Sequence, residues 1–286
     1  MVCLTFPHVL KSEAEVKVEK QWLFDSDFTQ RYTKIRQEFI AEFLNLARGQ
    51  VSLESAIDVG AGVGYFASFL RDLGFRVLAA DGREENVAEG RRRHPDIEFI
   101  SHNVEAASFA EIGRFDLVLC VGLLYHLENP FQAIRNLHAL TERVLIVESM
   151  CSPGEFPSME LLDEGQVEDQ GLNFVAFYPT ESCLVKMLYK AGFPSVYRFC
   201  QLPDDPQFVD TSRRKRSRIF LVATKIPLDV ANLLLAGEPL RYVVSKSDPW
   251  TTPWSRLVDF WKSITLAMKG ALAPGAKPSR GKVNSA

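Results

Sequence analysis

The 286-residue chain is 47% apolar and 24% charged with a net charge of −3, a globular composition that excludes a low-complexity or strongly basic nucleic-acid-coating chain. Its five cysteines are scattered, with no Cys-x-x-Cys pair and no histidine at ligand spacing, so neither a disulfide framework nor a metal site is expected and a reducing cytoplasm is. The first residues lack the pattern of a secretory signal, and no apolar stretch reaches the length of a membrane span.

Residues 1–26 are mixed in character. From 27 to 47 the apolar positions Phe28, Tyr32, Ile35, Phe39, Ile40, Phe43 and Leu44 recur at helical spacing, and Gly49 supplies a stop. A strand near 53–59 then carries Asp58 and runs into Gly60-Ala61-Gly62-Val63-Gly64, with a helix predicted over 63–73. Glycines at alternate positions let the backbone approach a ligand closely, and the amides of the following helix point at the same place. This is the pattern of a nucleotide-type cofactor site. A dinucleotide is disfavoured: Tyr65 occupies the place of the third glycine in G-x-G-x-x-G, and Asp58 would repel a pyrophosphate. A ligand bearing an ammonium or sulfonium group suits that carboxylate better. The next strand, 75–80, ends at Asp81, where a carboxylate can accept hydrogen bonds from both hydroxyls of a ribose.

Strands at 97–100, 115–121 and 143–149 alternate with helices at 84–93, 104–111 and 130–139, which predicts a parallel, doubly wound sheet. Residues 150–179 break the alternation with Pro153, Gly154, Pro157, Gly165 and Gly171. They are acidic at Glu160, Asp163, Glu164, Glu168 and Asp169, as suits a solvated lid or a surface for sugar hydroxyls or an amine. A helix at 180–191 and strands at 195–202 and 218–225 follow, separated by the basic run Arg213, Arg214, Lys215, Arg216 and Arg218. An amphipathic run at 249–269, with Trp254, Leu257, Val258, Trp261, Ile264 and Met268 on one side, precedes a small, polar, basic tail.

Four ordered segments resemble those of the class I S-adenosylmethionine-dependent methyltransferases: 58–64, Asp81, His102-Asn103-Val104-Glu105, and 115–130 with Gly122-Leu-Leu-Tyr125-His126. The resemblance covers roughly 50–226. It implies an α/β fold: a doubly wound, mostly parallel, seven-stranded Rossmann-like sheet whose last two strands form an antiparallel pair. A helical N-terminal cap (1–50), the core (51–226) and a C-terminal helical appendage (227–286) are expected. S-adenosylmethionine is the implied cofactor, held at Asp58, Gly60, Ala61, Gly62, Gly64, Asp81, Gly82, Asn103, Val104 and Val121. At Asn103 the family often has an acid to meet the adenine amino group; the amide brings an acceptor oxygen without the charge. Tyr125 and Tyr178 are candidate substrate contacts. His126 and Glu148 are the candidate bases, each set against a plainer role in shaping the loop or pairing with an arginine.

The expected activity is methyl transfer to an oxygen or nitrogen of a small-molecule or glycan-type acceptor. Three alternatives stand beside it: a tRNA-modifying transferase of the wobble-uridine type, a non-catalytic scaffold of the same fold, and an NAD-dependent enzyme. The first would need the run 213–218 as its nucleic-acid contact, although lone basic runs are more often solvated loops. The scaffold reading is disfavoured by the intact Asp58, glycines and Asp81. The tryptophan-bearing segment 249–269 could rest peripherally on an anionic membrane, or pack on the core or a second subunit.

Overall fold

Alternate residues along the central strands serve opposite faces of one sheet. In β1 (Ser55–Val59), Ile57 and Val59 pack on one face while Ala56 packs on the other. In β4 (Phe115–Val121) the division is Val118 and Cys120 against Leu117, Leu119 and Val121. The same two-residue period divides β5 (Thr141–Met150) and β9 (Arg218–Thr224). Both faces being apolar, both must be covered by helices. Helix α1 (Asp27–Ala47) brings Ile40, Phe43 and Leu44 to one face, where α2 (Tyr65–Asp72) adds Leu70. Helices α4 (Pro130–Leu140) and α5 (Glu181–Ala191), with the 3-10 turn Ala107–Glu111, cover the other. Helix α3 (Glu84–Arg93) lies against β2 (Arg76–Asp81) and β3 (Glu98–Ser101). The computed structural model describes residues 21–239 apart from 166, 168 and 212–214, and these belong to one compact unit.

The remaining strands are β6 (Met159–Asp163), β7 (Val175–Pro179), β8 (Ser195–Phe199) and β10 (Leu233–Leu235). The main sheet runs in the order β10-β8-β9-β5-β4-β1-β2-β3. Pairings from β3 through β5 are parallel, and β9 enters antiparallel between β5 and β8. The doubly wound, mostly parallel sheet is therefore present, with an eighth strand. Leu233–Leu235 pairs antiparallel with β8, so the sheet extends past residue 226 and the last antiparallel pair is not the edge. Inside the irregular segment 150–179 there is also a separate hairpin, β6 with β7. No burial period marks β6 in the sequence, because all five of its residues are exposed. The amphipathic run 249–269, residues 1–20, Glu168, Arg213 and Arg214 lie outside the described residues.

Helix ends are set by local chemistry. The side chains of Ser26, Asn129 and Thr180 accept hydrogen bonds from backbone amides at the starts of α1, α4 and α5. Gly64 opens α2 at φ +97°, where a Cβ would lie 2.7 Å from the Phe99 ring and 2.8 Å from the His94 ring. Backbone strain and overpacking both act against a side chain there. Gly64→Ala should destabilise the protein by about 2–4 kcal/mol in chemical denaturation.

Candidate active site

The carboxyl ends of the parallel strands open on one cavity of about 400 Å³, bordered by α1 and by the loop between β6 and β7. The wall begins where β1 turns into its glycine loop. Gly60 and Gly62 sit at φ +77° and +54°. Gly60 and Ala61 both donate to the Ala80 carbonyl, at 2.8 and 3.0 Å, which folds the loop back onto β2. A Cβ on Gly62 would lie 2.9 Å from the ring of Phe24, which comes down on the loop from the chain preceding α1. That strap is pinned: Arg93 pairs with Asp25 at 2.7 Å, and the Tyr65 hydroxyl donates to Asp25 at 2.6 Å.

Asp81 ends β2 in the cavity wall. The Gly62 amide donates to Oδ2 at 2.8 Å; the Arg83 amide and Asn86 Nδ2 donate to Oδ1 at 2.9 and 3.2 Å. A carboxylate has about four lone-pair sites, so acceptor capacity remains on this group. Gly82, Asn103, Val104 and Val121 also line the cavity. Asn103 Oδ1 already accepts from the Glu105 amide at 2.9 Å, so part of the acceptor capacity assigned to adenine holds the local turn instead.

Asp58 and Gly64 lie behind the loop, outside the residues that line the cavity. Asp58 is buried behind the loop, where its carboxyl accepts from the Ala67 amide in the first turn of α2. A strand-end residue with Asp58's inward direction meets the start of α2. Its Oδ2 has no partner among the described residues. Burial, then the nearby charge of Asp81, pushes its carboxyl up to about 7. Any pull on a cationic ligand is thus electrostatic, exerted through the loop. Behind the loop, the Phe99 and His94 rings fill the space around Gly64.

The other side of the cavity is built from residues far apart in sequence. His126, on the 3-10 turn Leu124–His126, has Nδ1 2.6 Å from Glu164 Oε1. A carboxylate only accepts, so Nδ1 carries the proton of this pair. The Tyr125 ring lies against that of His126, tilted by 42° with centroids 4.0 Å apart, and meets Tyr178 edge-on at 5.8 Å. Arg218 donates to the Tyr125 hydroxyl at 3.1 Å and lies over its ring. Tyr125, His126, Tyr178, Arg36 and Arg218 all border the cavity.

Glu148, the other candidate base, is fully buried and outside the cavity wall. It pairs with Arg218 at 2.8 Å and Arg36 at 3.3 Å. Burial pushes its carboxyl up, but the two guanidinium groups outweigh that and hold it below the usual carboxylate range. A doubly paired carboxylate is a poor proton acceptor, and its work here is to anchor two arginines whose charges exceed its own by one. No motif marks Arg36, Arg218 or Phe24 as a site residue. Pairings such as Arg36 with Glu148, across 112 positions, leave no local signal.

The basic run is not a free row of cations where described. Lys215 pairs with Asp210, Arg216 with Glu181 and Arg218 with Glu148. Among the described residues no cluster of three His, Cys, Asp or Glu is placed to hold a metal, and no helix is long and apolar enough to cross a membrane.

A carboxyl titrating near 7 when folded and near 4 when unfolded destabilises the fold as its proton leaves. The penalty begins above about pH 4 and is complete above about pH 7. Asp58→Asn should therefore raise the stability of the ligand-free protein by about 2–4 kcal/mol at pH 8, and by less than half as much at pH 5, in urea denaturation at the two pH values.

A family model described as a methyltransferase domain matches residues 32–196. The tRNA U34 carboxymethyltransferase of Desulfotalea psychrophila is 36% identical over 95 residues, covering 32% of this chain and 29% of that protein. The ubiquinone biosynthesis O-methyltransferase of Rickettsia typhi is 30% identical over 122 residues, covering 41% of this chain and 49% of that protein. The chain thus spans between about a third and a half of the length of these curated relatives. The N-terminal domain of EvdMO1, solved with SAH bound, superposes with a TM-score of 0.55 at 21% identity, over 70% of this chain and 84% of that one, a likeness of fold. With more than half of its length matched by the family model and the glycine loop, Asp81 and the strand order all in place, the chain belongs to the class I S-adenosylmethionine-dependent methyltransferases.

Proposed function

We propose that this protein transfers a methyl group from S-adenosylmethionine to an oxygen of a small-molecule acceptor, glycan-type metabolites included. The observation that carries the reading is the 2.6 Å pair of His126 with Glu164, set in the same cavity wall as Asp81 and the Gly60–Gly62 loop. The cradle fits the cofactor: side chains at Gly60 and Gly62 would fill it, and Asp81 keeps lone pairs for two ribose hydroxyls. Gly82 and Val104 would flank the adenosine, with Asn103 as a neutral partner for its amino group. Val121 and Gly122 stand between that end and the acceptor end. When bound, the cofactor supplies a methyl group on a positively charged sulfur, a ready electrophile.

His126 then has a defined task. A neutral amine attacks through a lone pair it already has, whereas a hydroxyl becomes a good nucleophile only as its proton leaves. Glu164 fixes the imidazole with Nε2 as the acceptor for that proton and stabilises the imidazolium that forms. The surplus positive charge of Arg36 and Arg218 over Glu148 favours an oxygen that gains negative character during attack. Tyr125 and Tyr178 supply flat walls for orienting the acceptor. Relatives named as ubiquinone biosynthesis O-methyltransferases support oxygen as the acceptor atom. A tRNA acceptor is less well supported, because the described members of the basic run are all engaged in ion pairs.

Calorimetric titration with S-adenosylmethionine and S-adenosylhomocysteine, with NAD as control, tests the cofactor half. Binding of the adenosyl ligands should weaken by about 2–4 kcal/mol in Asp81→Ala. Unchanged affinity in a folded Asp81→Ala protein would remove the ribose assignment. On a hydroxyl acceptor found by screening, His126→Asn should lower turnover about 10²–10⁴-fold while leaving S-adenosylhomocysteine affinity within twofold. Wild-type turnover in that variant, or methylation of tRNA alone, would contradict the reading of the acceptor end.

A further inference from the structure

Arg83 follows Asp81 by two residues, and its two ends reach both halves of the cavity. Its amide donates to Asp81 Oδ1 at 2.9 Å. Its Nη2 donates to the carbonyls of Gly171 and Gln170 at 2.9 and 3.2 Å, on the loop between β6 and β7. The Gly171 amide in turn donates to Glu164 Oε2 at 3.0 Å, and Glu164 Oε1 meets His126. Gly171 is seated so closely that a Cβ there would lie 2.2 Å from the His126 carbonyl oxygen. One residue on, Leu172 approaches within 3.0 Å of where a Gly82 Cβ would lie. A single run of contacts therefore joins the ribose acid to the imidazole: Asp81, Arg83, Gly171, Glu164, His126.

We propose that Arg83 is a positioning residue for His126, and that occupancy of the ribose seat at Asp81 is thereby coupled to the orientation of the base. The inference rests on the reading of His126 given above. Glu164 directly follows β6 and its amide still donates to the Phe174 carbonyl at 2.9 Å, but no strand pairing reaches the described residues around Gly171, whose amide seats Glu164 Oε2, so that end of the loop needs a hold from outside the hairpin. Arg83 supplies that hold. Its planar guanidinium donates from one nitrogen to two successive carbonyls, a geometry that a lysine ammonium meets only as a point charge. Gly171 supplies the fit, since only a residue without a side chain lets the loop lie against His126. A ligand that steadies Asp81 steadies the backbone of Arg83 and, through its side chain, the pair on the far side of the cavity. The base is then best oriented when the cofactor seat is filled.

The test is solvent exchange of the His126 Nδ1 proton, followed by NMR on the full chain labelled with ¹⁵N in its histidine rings, with S-adenosylhomocysteine as the probe. Glu164→Ala, which removes the acceptor, sets the reference for a lost pair. Exchange should speed up about tenfold in Arg83→Ala and in Gly171→Ala, with partial protection kept in Arg83→Lys. S-adenosylhomocysteine should slow exchange in the wild type and leave it unchanged in Arg83→Ala. Wild-type exchange in Arg83→Ala would overturn the proposal. So would wild-type exchange in Gly171→Ala, which keeps every charge and the Asp81 contact and so probes the loop's seating separately from the arginine. Failure of the wild type to bind the probe would instead sink the cofactor reading, whereas binding with undisturbed exchange in the variants would sink the positioning role alone.

Discussion

Two carboxylates buried close together under a glycine loop are the constraint around which this site is arranged. Asp58 and Asp81 are both costly to ionise because both are buried, and the charge of Asp81 adds to the cost at Asp58. The fold offsets this with backbone amides: Gly62 and Arg83 donate to Asp81, and Ala67 donates to Asp58. Those amides are available only because the loop runs through left-handed glycines and because α2 begins at once with its first turn unpaired. The compensation is incomplete, since Asp58 Oδ2 has no partner among the described residues. A pocket floor of this kind disfavours anionic phosphates and favours a ligand that brings positive charge and hydroxyl donors. The cofactor of the family does both.

The acceptor end follows the opposite electrostatic plan. There a buried carboxylate, Glu148, is over-compensated by Arg36 and Arg218, and the second carboxylate, Glu164, is given to His126. Asp81, Val121, Gly122, Arg36, Arg218, Glu164 and His126 all line the one cavity. Each half is assembled by different means. The cofactor half comes from strand ends of the parallel sheet, which the topology delivers to one edge. The other half adds, to Tyr125 and His126 on the turn after β4, residues from α1, β7, β9 and the loop after β6.

This difference explains which features are legible in the amino-acid sequence. The glycine loop, Asp81 and the Tyr125-His126 turn are local features, each following an apolar strand that its composition announces. Glu164 stands in the sequence as one acid among six in the irregular segment 150–179, and nothing local joins it to His126, 38 positions earlier. Arg36 reads as one polar position of an amphipathic helix, and Arg218 reads as the end of a basic loop; tertiary pairing with Glu148 turns both inward. Asp58 lies behind the loop, outside the cavity wall, for a related reason. Strand alternation gives the face a residue serves, and in this case the face behind the loop is the one toward α2. Leu233–Leu235 carries no recognisable strand signal, because three residues, two of them exposed, are too few to show a period.

The most direct test of the central claim is a crystal structure of the protein with S-adenosylhomocysteine bound. The account predicts both ribose hydroxyls within hydrogen-bonding distance of the Asp81 carboxylate, the adenine beside Val104, and the sulfur turned toward Val121 and Gly122 with open space between it and His126. An adenosine seated away from Asp81, or a sulfur separated from the His126 side by intervening protein, would contradict it.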